Sequence, residues 1–93
     1  MLSTNDRASQ RLELIRGQLE SKLSPSVLEV VDESHLHVGH AGSREGKGHF
    51  KVTIIAEKFR GLNPIKQHKL IYAVLAELME NDIHALSIDA RVP

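Results

Sequence analysis

The stretch from Phe50 to Val92 constrains the fold more than any other part of this chain. Phe50, Val52, Ile54 and Ala56 alternate with Lys51, Thr53 and Glu57, the period of two that buries one face of a strand. Phe59-Arg-Gly-Leu-Asn-Pro64 then makes a turn, with Asn63 at a helix cap and Pro64 at the first helical position. The helix runs to about residue 80, with Ile65, Ile71, Tyr72, Leu75, Leu78 and Met79 forming a wide apolar face, and Asn81-Asp82 ends it. His84, Leu86, Ile88, Ala90 and Val92 alternate with Ala85, Ser87, Asp89 and Arg91 in a further strand. Two strands joined through a helix within one small sheet call for a right-handed crossover between parallel neighbours. Such strands start at the same end of the sheet.

Upstream, residues 5–23 read as an amphipathic helix, since Ala8, Leu12, Ile15, Leu19 and Leu23 recur at three- and four-residue steps. Thr4 or Asn5 caps it, and Ser24-Pro25 ends it, because proline disfavours a helical residue before it. Val27-Leu-Glu-Val-Val-Asp-Glu33 is a β-branched strand that should pair antiparallel with the next one. Between them, residues 34–48 carry four glycines and no periodicity and read as a long loop. The order α-β-β-α-β defines an α+β fold with a three-stranded mixed sheet and helices on one face only. The 93 residues suffice for one domain, 1–93, with residues 1–4 expected to be flexible.

Twelve basic residues balance twelve acidic ones, which counts against a dedicated nucleic-acid binder. No apolar run approaches a membrane span and no export signal opens the chain, so no membrane association is expected. The chain has no cysteine, so nothing requires an oxidising compartment, and the reading is cytoplasmic. There is no cysteine nucleophile, no Gly-x-Ser-x-Gly elbow and no P-loop, and the chain is read as non-catalytic.

Histidine is the conspicuous chemistry. Of six, three fall in Ser34-His-Leu-His-Val-Gly-His40, and neutral imidazoles are natural ligands for borderline metals. With parallel strands, His49 and His84 start at one rim, where the loop of His35, His37 and His40 also ends. By alternation His84 shares the face of Leu86 and Ile88, whereas His49 points opposite to Phe50, so His84 pairs better with a loop histidine than with His49. Two imidazoles do not close a structural zinc site but suit half of a shared one, such as a mixed nitrogen and sulfur 2Fe-2S centre.

Glu33-Ser34-x-x-His37, Ala41-Gly-Ser43, His49-Phe-Lys-Val52, Phe59-x-Gly61, His68-Lys-x-Ile-Tyr72, Leu75-Ala-Glu77 and Ile83-His-Ala-Leu86 occur here in one order and spacing. Over about residues 10–92 the chain thereby resembles the BolA family. The resemblance implies a fold similar to a type II KH domain, often with a short helical turn before the long helix. It implies an adaptor that pairs with a monothiol glutaredoxin in iron–sulfur cluster trafficking and iron homeostasis. The two proteins would share a 2Fe-2S cluster, with the glutaredoxin cysteine and glutathione on one side. On the other side would stand His84 and a histidine of the loop, at the position of His37. The loop is longer than the family's compact form and adds His40 as the alternative ligand and His35 as a weaker one.

His49 is read as supporting the site from behind the ligands, and His68 as a solvated or packing residue. Bacterial members are also described as DNA-binding transcriptional regulators of morphology and stress response. Lys58, Arg60, Lys66 and Lys69 would be the partner or nucleic-acid surface in that case. Alone, the chain is expected to be a monomer or weak homodimer that holds no cofactor tightly.

Overall fold

The computed structural model describes residues 4–34 and 47–93. The helix α1 (Thr4–Leu23) leads into β1 (Val27–Asp32) and, after the intervening segment, β2 (Gly48–Ile55). A 3-10 turn (Glu57–Phe59) precedes α2 (Pro64–Val74), α3 (Ala76–Asn81) and β3 (Ile83–Arg91). The expected sheet forms: β2 is central, antiparallel to β1 and parallel to β3. The short helical turn that the resemblance implies is the 3-10 turn, which buries Phe59 completely.

One face of the sheet carries the core. Leu28 and Val30 of β1 lie opposite Ile54 and Val52 of β2, while Leu86, Ile88 and Ala90 of β3 stand beside Phe50, Val52 and Ile54. Against them pack Ile15, Leu19 and Leu23 of α1, Ile71 of α2 and Leu75 between α2 and α3. Burying such aliphatic side chains stabilises by about 1.5–3 kcal/mol each. On the opposite face Val27, Val31, Lys51, Ala85 and Ser87 are exposed, as expected for helices that cover one side only.

Local signals act where they were read. Asn63 Oδ1 accepts the Lys66 amide at 2.9 Å, and Pro64 opens α2. The Ser24 amide donates to Glu20 O at 3.1 Å, and Ser24 itself takes φ +46°, which turns the chain out of α1 before Pro25. Thr4 and Asn5, read as caps of α1, are already helical, and what precedes them lies outside the described residues.

Three readings are corrected. The helix expected to run unbroken to residue 80 is divided at Leu75, whose φ of −98° and ψ of 12° leave the helical range. No glycine or proline marks the break, which falls at a residue wholly buried in the core. Ile65 and Tyr72 are not core residues but are 68% and 40% exposed. At 100° per residue they stand roughly 120° and 100° around the helix from the buried Ile71. The third correction concerns β3, which starts one residue earlier, at Ile83, with a register shift against β2 between Gly48 and His49.

Gly48 has no room for a side chain. A Cβ there would lie 2.5 and 2.7 Å from two ring carbons of Phe50 and 3.2 Å from Ser34 Oγ. Gly48→Ala is therefore expected to lower stability by about 1–3 kcal/mol, the usual range for overpacking. Urea denaturation checks this. An unchanged midpoint would mean that the Phe50 ring moves aside freely.

Candidate metal-binding rim

The end of β1 and the starts of β2 and β3 form one rim, and hydrogen bonds tie them together. The Glu33 amide donates to His49 O at 2.7 Å, and the His49 amide donates to Ser34 Oγ at 3.0 Å. The Ser34 amide in turn donates to Asp32 Oδ1 at 2.8 Å. On the other side of β2 the Gly48 amide donates to Asp82 O at 3.0 Å. Arg11 of α1 reaches across to Asp82, with Nε donating to Oδ1 at 3.3 Å, and this pair is largely shielded from solvent. Ser34 and Lys47 flank the segment of His35, His37 and His40 at this rim. Those three candidate ligands lie outside the described residues.

The register shift decides where the remaining two imidazoles go. Gly48 pairs with Ile83 and His49 with Ala85, so His84 is the extra residue of a bulge. Bulges re-aim a side chain and restore the alternation beyond them. Here Ile83 is buried, and Leu86, three residues on, packs against the core again. His84 is exposed and does not share the core face of Leu86 and Ile88, contrary to strict alternation. Its ring lies 5.1 Å from that of His49, centroid to centroid, at an interplanar angle of 52°. The preference for a loop histidine over His49 as the neighbour of His84 therefore rested on a phase that the bulge cancels.

His49 is 6% exposed, and both of its ring nitrogens are buried. Among the described residues no group of three or more His, Asp or Glu side chains is placed to hold a metal ion. The described part of the rim thus carries two imidazoles, those of His49 and His84, and no thiolate.

The basic residues stand elsewhere. The 3-10 turn follows the far end of β2, roughly 20 Å along the strand from His49. Lys58 Nζ donates to Lys22 O at 2.7 Å, covering a free carbonyl at the end of α1. Arg60 is paired with Glu57, Nη2 donating to Oε2 at 3.1 Å. That hydrogen bond holds the Glu57 carboxyl below the usual carboxylate range and raises the Arg60 guanidinium above its own. Lys66 and Lys69 are exposed on α2, and neither side chain has an ion pair among the described residues. His68 is half-buried one turn into α2, far along the helices from Asp82.

The sequence model of the BolA family, described as BolA-like protein, matches residues 19–93. The chain belongs to the BolA family. BolA-like protein 1 of Pongo abelii is 46% identical over 79 residues, which are 85% of this chain and 56% of that protein. The chain therefore spans little more than half the length of that curated relative. The DNA-binding transcriptional regulator BolA of Vibrio cholerae serotype O1 is 40% identical over 76 residues, 82% of this chain and 69% of that protein. Among solved structures, the BolA domain of SufE1 from Arabidopsis thaliana superposes with a TM-score of 0.80 at 40% identity. The match covers 89% of this chain and 92% of that one. Family membership of this breadth accounts for the α+β fold. No helix among the described residues is long and apolar enough to cross a membrane.

Arg11 precedes the stretch matched to the BolA family, and sequence reading missed its contact with Asp82. Arg11→Ala is expected to lower stability by about 1 kcal/mol or less. It should also shift the imidazole resonances of His49 and His84 in NMR spectra while those of His68 stay in place. Unmoved resonances at His84 would mean that the bulge holds without the ion pair.

Proposed function

We propose that this BolA-family chain is a non-catalytic adaptor that pairs with a monothiol glutaredoxin and co-ligates a 2Fe-2S cluster as its cargo. His84 supplies one imidazole and the 35–46 segment a second, at His37 first and His40 as the alternative. The partner cysteine and glutathione complete the set. The observation that carries this reading is the bulge: it turns His84 out of the core face to the rim where that segment leaves and returns. The absence of cysteine supports it, since cluster thiolates would then come from the partner. A BolA domain within a SufE-like protein supports an iron–sulfur setting. The compartment is read as cytoplasmic, because nothing in the chain calls for an oxidising one.

The test is anaerobic co-purification with a monothiol glutaredoxin and glutathione, followed by visible absorption, circular dichroism and assays of iron and acid-labile sulfide. His84→Ala, and separately the joint substitution of His35, His37 and His40 by Ala, should each change the shared-cluster spectrum and shorten its lifetime. Spectra identical to those of the unsubstituted pair in both variants would sink the ligand assignment.

A second reading, DNA-binding regulation, is favoured by the name of the Vibrio cholerae relative and by the exposed Lys66 and Lys69. It makes a separate prediction, because Glu57 neutralises Arg60 at this end of the sheet. Glu57→Gln should strengthen binding to duplex DNA and steepen its salt dependence by up to about one phosphate contact. Lys66→Glu should weaken binding. Titrations in which neither substitution matters would remove this reading.

A further inference from the structure

We propose that the outer edge of β3 is a self-association surface, on which two copies of this chain pair antiparallel about a two-fold axis at Ala90. The contact lies at the end of β3 opposite His84 and rests on neither reading of the function above.

The sheet order supplies the edge. Among the described residues β3 has β2 on one side and no strand on the other. The Ala56 amide donates to Arg91 O at 3.1 Å, so Arg91, and with it Asp89 and Ser87, turns its backbone groups toward β2. Leu86, Ile88 and Ala90 therefore turn theirs outward, and such a row of donors and acceptors is a template for another strand. The other edge, β1, has six residues and acidic charges only, Glu29 and Asp32, which would repel those of a second copy. β3 has nine residues and carries both signs beyond its bulge, at Asp89 and Arg91. Within the strand these two pair with each other, Nε donating to Oδ1 at 3.1 Å and Nη2 to Oδ2 at 3.3 Å, with both side chains well exposed. An exposed pair of this kind contributes little, so exchanging it for a pair across an interface costs little.

Charge then selects the register. A two-fold axis at Asp89 or at Arg91 sets like charges directly opposite each other. An axis at Ile88 or Ser87 sets Asp89 opposite Ser87 or Ala85 and carries the second strand onto the bulge at His84, where the ladder is disrupted. An axis at Ala90 sets Asp89 of each copy opposite Arg91 of the other and stays clear of the bulge. Those are non-hydrogen-bonded positions, where facing side chains come closest. The same register sets Val92, 39% exposed, opposite Ile88 at the margin of the core. Ile88, Ala90 and Val92 would then exchange about six backbone hydrogen bonds across the axis. Residues 88–92 of each copy bury less than the roughly 800 Å² per partner of a standard interface, so the dimer is weak and reversible.

The test uses the full chain alone, by sedimentation velocity and amide NMR at rising protein concentration. A shift to dimer is expected, with concentration-dependent amide changes and slowed hydrogen exchange centred on Ile88, Ala90 and Val92. Asp89→Arg and Arg91→Asp should each weaken dimerisation by about tenfold, because each sets like charges opposite one another twice. Both substitutions in one chain should restore it, since the charges are complementary again. Glu29→Gln should leave it unchanged. A monomer at every concentration, changes centred on β1 or α2, or a double variant no better than the single ones would each overturn the proposal. Growth beyond the dimer would also overturn it, since β3 pairing with β1 of the next copy is open-ended. If a substituted chain fails to fold by far-ultraviolet circular dichroism, the amide pattern of the unsubstituted chain decides.

Discussion

Everything in this molecule hangs on the parallel pairing of β2 with β3 and on its one-residue slip. Parallel neighbours need a crossover, and α2 and α3 supply it while closing the core over Phe50, Val52 and Ile54. The slip between Gly48 and His49 then lets Ile83 and Leu86 both face that core. Gly48 belongs to the same arrangement, because the Phe50 ring lies where its side chain would be. A residue that cannot carry a Cβ, a buried aromatic and an extra histidine are three consequences of one packing solution.

That solution separates two kinds of chemistry. Imidazoles, the Arg11–Asp82 pair and the Ser34 hydroxyl gather where β2 and β3 start. The cations of the 3-10 turn gather at the opposite end, and two of them are already engaged by Lys22 O and Glu57. The cations near the 3-10 turn and the imidazoles of the rim are therefore carried at opposite ends of β2. The neutral overall charge conceals this division, since it averages over both ends.

The element order, the mixed sheet, the cap at Asn63 and most of the core were legible in the chain. They follow from short-range periodicity and from the stereochemistry of proline and small polar residues, which act locally. Less was legible where one residue's surroundings come from distant segments. Ile65 and Tyr72 are apolar yet exposed, because the buried stripe of α2 is set by what the sheet can contact. The break at Leu75 has no local signature. The apolar Ile83 next to His84, with Leu86 three residues on, was a visible violation of period two and could have announced the bulge.

By itself, then, the sequence determined the family, the topology and a composition with six histidines and no cysteine. Only the tertiary structure decided which imidazoles are neighbours. Alternation assigns a side chain to a face on the assumption of unbroken register. A single unpaired residue reverses that assignment, and whether a strand slips depends on the packing of Ile83, Phe50 and Leu86 together.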